Sequence, residues 1–193
     1  LPQTMLPLGA PGTHATIVDL ADWGAPRDDN GAPAGDHVRA KARAFAEPLL
    51  YSQKFDTGED ALAHADGVAL TLQNVGASPS LQAAAYLVYA AEYLNHPEEV
   101  ISRTFGAEEA TLVMHTLKLV QVQRSARDAL GDEAEGPLNA EQIERIRKML
   151  LAFSRDLRVV LLRLASRMTT LRYYANTKQP CPRSLARESL QVF

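Results

Sequence analysis

The 193-residue chain has one cysteine, Cys181, so it can form no internal disulfide and no multi-cysteine zinc or iron-sulfur site. Long apolar runs are also missing. Nothing approaches the roughly 20 residues that a bilayer crossing requires, so a transmembrane helix is not expected. The first residues, Leu1 to Gly12, show no basic segment followed by an apolar one, so no secretory signal is read and the cytoplasm is the default location. The chain opens on Leu1 rather than Met, which reads as a piece cut from a longer protein. Net charge is only −3, too little for a nucleic-acid binder that works by bulk charge, and direct DNA binding is not expected. The glycines beyond residue 35 sit singly, so there is no glycine-rich phosphate loop. No pair of strands with hairpin punctuation appears.

What remains is the composition of a globular domain, with 46% hydrophobic and 22% charged residues. A chain of 21.1 kDa exposes about 9,000 Å² folded against about 31,000 Å² unfolded, enough for one well-buried core. The charge is unevenly spread. From Asn139 onward there are eleven Lys/Arg and four Asp/Glu, making that segment +7 and the remainder −10.

Residues 1–35 hold five of the eleven glycines and five of the eleven prolines without a sustained apolar period, and read as a poorly ordered extension. Within it, Ile17 to Trp23 is the one stretch able to dock as a strap. From Asp36 the punctuation is that of helices joined by short loops. Asp36 is read as the N-cap of a helix to about Tyr51, and Gly58-Glu59-Asp60 opens a second that ends at Gly76. Ser78-Pro79 reads as N-cap and first residue of a helix so apolar that it should be central. Asn95-His96-Pro97 starts a short helix ending near Phe105-Gly106, and another follows through Ala110, Val113, Met114, Leu117 and Val120. Ser125 to Pro137 is polar and reads as a surface loop. From Ile143 to Leu171 apolar residues recur at three- and four-residue steps, with a break placed at Ser154 to Asp156. After a turn-rich loop, Arg183 to Phe193 begins a last helix. The expected fold is all-α, a compact multi-helix bundle.

Four stretches in order make the pattern specific: Gly58-Glu59 with His64 five residues on; Phe105-Gly106 through Leu117-Lys118-Leu119; Ile146-Arg147-Lys148-Met149-Leu150 followed by Asp156-Leu157-Arg158-Val159-Val160; and Ala186 to Phe193. Together, over residues 36–193, they resemble the N-terminal HD-type hydrolase domain of long RelA/SpoT proteins, which make and degrade the alarmone (p)ppGpp. The resemblance implies an HD-type bundle whose last helix leads toward a C-terminal synthetase domain. In active members a divalent cation, typically manganese, is held by a histidine, a His-Asp doublet and a distant aspartate, and its activated water removes the 3′ pyrophosphate.

Under that resemblance the metal positions fall on His64, Val88, Tyr89 and Ser166. Valine has no donor atom, a phenol with a pKa near ~10 stays protonated at neutral pH, and a serine hydroxyl brings no charge. One imidazole alone does not hold manganese, so no cofactor is expected; Mn²⁺ belongs only to the alternative of a residually active hydrolase with substitute carboxylates from Asp66, Glu59 or Glu92. An acidic pair keeps Glu92 but reads Tyr93 at its partner position, an expected arginine reads Phe55, and an expected asparagine reads Thr170. These losses imply the RelA-like branch: a catalytically inactive, regulatory pseudo-hydrolase domain of a GTP pyrophosphokinase acting in the stringent response. Implied partners are the synthetase domain of the same chain and, through the parent protein, the ribosome. Guanine nucleotide contact at Lys118, Arg147 and Lys148 is weighed against basic residues that are simply solvated. A third reading is a helical oligomerisation or partner-binding domain. His64 itself fits a hydrogen-bonded structural residue, and Val88 and Tyr89 fit fillers of the space that an ion would take. Ser52, Ser154 and Cys181 show no partner set for nucleophilic catalysis.

Overall fold

The computed structural model describes residues 34–128 and 156–183, together with positions 144, 148, 185, 186 and 189. The Ile17 to Trp23 strap, the body of the Ser125 to Pro137 stretch and the Ile143 to Phe153 pattern therefore lie outside the described residues, apart from the few positions named. Before residue 183 the described segments form six α-helices and no strand: α1 (Ala34–Leu50), α2 (Ala61–Asn74), α3 (Pro79–Ala90), α4 (Pro97–Phe105), α5 (Ala107–Asp128) and α6 (Leu157–Thr177), with a 3-10 turn at Ala91–Tyr93 after α3. The fold is all-α.

Local chemistry sets the helix starts. The Asp60 carboxylate accepts from the Ala63 amide at 2.8 Å and starts α2. Ser78 does the same for α3 through the Leu81 amide, with Pro79 at the first helical position, and Asp156 caps α6 through the Arg158 amide. Two expectations are corrected. Helix α1 begins at Ala34, so Asp36 lies inside it rather than capping it. Helix α5 runs on to Asp128, so Ser125–Asp128 are helical rather than loop; the segment holds no glycine or proline to stop the helix. The helix expected from Arg183 does start there, since the Ala186 amide donates to the Pro182 carbonyl at 3.0 Å.

Helix α3 is the axis of the core. Leu81, Ala83, Ala84, Ala85, Leu87, Val88 and Ala90 are all buried, because α3 is covered by α1, α2 and α5 and also touches α6. Small residues let the backbones approach: Ala42 and Ala46 of α1 and Ala61, Ala65 and Ala69 of α2 are buried against it. Helices α2 and α6 meet at Gly67, where an added Cβ would lie 2.7 Å from Thr169 Cγ2. That close approach positions the site, since His64 is one turn from Gly67 on α2 and Ser166 one turn from Thr169 on α6. Among the described residues, no helix is long and apolar enough to cross a membrane.

A buried histidine cluster at the candidate site

The turn before α2 carries Glu59, the one of the three substitute carboxylates that reaches His64. Gly58 sits at φ +85°, a conformation suited to glycine, and its amide donates to the Phe55 carbonyl at 2.8 Å. The Phe55 amide donates to the Glu59 carbonyl at 3.0 Å, closing a tight loop that turns the Glu59 side chain inward. Glu59 is only 3% exposed and His64 4%, and Oε1 lies 2.8 Å from the imidazole Nδ1. The second oxygen accepts from Thr57 at 2.8 Å and from Thr170 at 2.9 Å. Burial raises the Glu59 carboxyl, but the hydrogen bonds from His64, Thr57 and Thr170 outweigh it and hold the group below the ordinary carboxylate range. An ionised carboxylate only accepts, so Nδ1 carries a proton and donates to Glu59.

Nε2 lies 3.0 Å from the Tyr89 hydroxyl and 3.2 Å from Ser166 Oγ. The Tyr89 hydroxyl in turn donates to Ser166 Oγ at 2.9 Å. Burial pushes the Tyr89 phenol above its ordinary value, so it stays a neutral donor. Phe55 completes the packing, with its ring centroid 5.1 Å from His64 and 5.4 Å from Tyr89. His64 and Tyr89 are themselves edge to face at 5.1 Å.

Three of the four metal positions inferred from the sequence, His64, Tyr89 and Ser166, are thus brought into one hydrogen-bonded cluster. The fourth, Val88, is buried and lines a small cavity with Tyr89, Ser166, Thr116 and Arg163. That cavity measures about 10 Å³, room for roughly one water. The other candidates lie elsewhere. Asp66 is taken by the Arg43 guanidinium, at 2.9 and 3.2 Å, and by the Tyr86 hydroxyl at 2.9 Å. Glu92 and Tyr93 are exposed. Lys118 is exposed on α5, two residues and hence about 200° around the helix from Thr116. Lys148 is exposed, and Arg147 lies outside the described residues.

The donor set does not fit a divalent cation. Such an ion takes imidazole nitrogen together with carboxylate oxygens. Here the converging carboxylate occupies Nδ1, and Nε2 faces two neutral hydroxyls. Among the described residues, no three His, Cys, Asp or Glu side chains converge as a metal-holding group. The order Ser166, His64, Glu59 has the connectivity of a nucleophile relay, one that the sequence search over Ser52, Ser154 and Cys181 missed. Ser166 Oγ accepts the Tyr89 proton and lines the cavity of about one-water size.

An all-helical bundle that sets a helix-borne histidine opposite two further helices defines the class, and comparison with known proteins agrees. The HD domain profile matches residues 42–193, and the chain belongs to that family. Its curated relatives are of the RelA/SpoT type. It is 30% identical over 153 residues to a probable guanosine-3′,5′-bis(diphosphate) 3′-pyrophosphohydrolase of Synechocystis, and 31% over 137 residues to the Haemophilus influenzae protein of that activity. To a probable GTP pyrophosphokinase of Mycobacterium leprae it is 34% identical over 155 residues. These matches cover 79%, 71% and 78% of this chain but only 19%, 19% and 18% of the relatives, so the chain spans about a fifth of their length.

Proposed function

We propose that this chain is a catalytically silent (p)ppGpp-hydrolase domain that serves as a regulatory module of a RelA-like GTP pyrophosphokinase in the stringent response. One observation carries the reading. Four of the six departures from the family pattern, at Phe55, Tyr89, Ser166 and Thr170, are scattered over more than a hundred residues of sequence yet touch the His64–Glu59 pair, while Val88 lines the adjoining cavity and Tyr93 is exposed. Random decay of a site would leave buried donors orphaned at a cost of about 1–3 kcal/mol each. Here Tyr89, Ser166 and Thr170 each set a hydroxyl within hydrogen-bond distance of the pair, and Val88 fills space.

In this reading the domain needs no metal and acts through packing. Helix-on-helix contacts restrain the synthetase domain of the same chain, the helix begun at Arg183 passes on the packing state, and the parent protein meets the ribosome in the cytoplasm. Guanine nucleotide at Lys118, Arg147 and Lys148 would act as a regulator and not as a substrate. The test is direct: the chain is incubated with ppGpp and Mn²⁺ while pyrophosphate release is followed. The expected result is release no faster than in a protein-free control. Turnover abolished by His64→Ala would establish the residually active hydrolase instead.

A further inference from the structure

Glu59, His64 and Ser166 form a line of polar contacts that runs from the core to its edge. Glu59 Oε1 lies 2.8 Å from the imidazole Nδ1, and Nε2 lies 3.2 Å from Ser166 Oγ. The carboxylate and the imidazole are buried whereas Ser166 is half-buried, so of the three it is the hydroxyl that solvent reaches. Its orientation is not the ordinary one for a helix. Thr71, Thr104, Thr116 and Thr169 each donate to the carbonyl four residues earlier, the usual resting bond of a helical hydroxyl. Ser166 instead turns its oxygen toward the imidazole and takes the Tyr89 proton. A hydroxyl beside an imidazole whose far nitrogen is held by a carboxylate is the arrangement that activates a serine.

We propose that Ser166 is a nucleophile toward small acyl esters, with His64 as its base and Glu59 as the positioning residue that fixes the imidazole. The Ser166 oxygen bonds to the acyl carbon while its proton passes to Nε2 of the neutral imidazole. The bond from the acyl carbon to the leaving alcohol then breaks, and that alcohol's oxygen takes the proton from Nε2. Water, giving its proton to the same nitrogen, attacks the acyl-serine next; the carboxylic acid leaves and the proton returns to Ser166. The cavity of about 10 Å³ beside Ser166 has room for an ester's carbonyl oxygen, about the size of the water it can hold, with the rest of the ester outside. Arg163 lines the same cavity one turn before Ser166 and sets a cation beside the oxygen that gains charge. No metal enters these steps, so this activity and the regulatory reading can each fail without the other.

The probe is p-nitrophenyl acetate, added to the whole chain in EDTA. A burst of about one p-nitrophenol per chain is expected, followed by slow turnover. Trypsin cuts after Arg163 and Arg167, so in the acid-quenched chain the acetyl group should travel on the peptide Leu164–Arg167. Ser166→Ala should lose the burst and keep only the slow release due to exposed side chains such as His115. His64→Gln should slow acetylation by about a hundredfold or more, the share that a general base supplies. If that variant loses its helical circular dichroism, the parent chain against Ser166→Ala and the peptide assignment still decide. Three results would overturn the proposal: release from the parent chain no faster than from Ser166→Ala, an acetyl group found only on other residues, or a folded His64→Gln chain that reacts as fast as the parent.

Discussion

At the scale of single residues, Glu59 determines the protonation of the cluster. Its carboxylate accepts from His64, Thr57 and Thr170 in a buried setting, so Glu59→Gln removes the charge that orients all three donors and sets an amide NH₂ against them. A loss of about 2–3 kcal/mol at neutral pH is expected, read from urea unfolding midpoints. The pH dependence follows from the sign of the shift. Because the folded state holds this carboxyl below its ordinary value of 4.5, its stabilisation is present above that pH and fades as the pH falls through the lowered value. Asp156, lowered by its hydrogen bond from Arg158, contributes an acid loss in the same direction and remains in the variant. The gap between Glu59→Gln and the parent chain should therefore narrow as the pH falls below 4.5. A gap that stays constant over that range would show that the Glu59 charge does not carry the interaction. Tyr89→Phe is the gentler comparison. It keeps both ring contacts and deletes one hydroxyl, for an expected loss of about 1 kcal/mol.

At the scale of helices, the crossing of α2 and α6 makes a sharper prediction. Alanine in place of glycine inside a helix ordinarily stabilises by about 0.5–1 kcal/mol. At Gly67 the new Cβ would sit 2.7 Å from Thr169 Cγ2, and Thr169 cannot easily yield because its hydroxyl donates to the Ala165 carbonyl at 2.9 Å. Overpacking of that kind costs about 1–3 kcal/mol, so Gly67→Ala should lower the melting temperature. In a Thr169→Ala background the next atom is a Cβ at 3.8 Å, and there the same substitution should raise it. A change of the same sign in both backgrounds would mean that the helices are not in this contact. The element boundaries that the sequence announces are those with one chemical solution: Asp60, Ser78-Pro79 and Asp156 are caps in the structure as in the reading. The start of α1 was misplaced because an acidic residue is favoured both as a cap and within the first turn. The site was legible in part. The family resemblance placed His64, Tyr89 and Ser166 together, whereas Glu59 stood only as one of three substitute carboxylates, because its approach to His64 depends on the turn at Gly58, outside any helix, where periodicity carries no information.

For the whole molecule, the question is whether folding depends on an ion. If Val88, Tyr89 and Ser166 fill and satisfy the former coordination space, stability resides in the protein alone, and neither EDTA nor Mn²⁺ should move the melting temperature of the chain. Restoring the family's donors together, with Val88→His, Tyr89→Asp and Ser166→Asp, should reverse this. The two new carboxylates and the new imidazole would face His64 across helices whose backbones are already in place, but without an ion they would be like charges in a nearly dry space. The triple variant should therefore melt below the parent chain in EDTA. Mn²⁺ at a hundredfold excess over its dissociation constant should then recover about 2.7 kcal/mol, a rise of about 5–10 °C for a domain of this size. The parent chain serves as its own control, because general ionic effects of Mn²⁺ on the acidic segment would move both proteins alike. A triple variant that folds yet stays indifferent to Mn²⁺ would mean that these three positions do not surround a common point, and the description of the cluster as a converted metal site would fall with it.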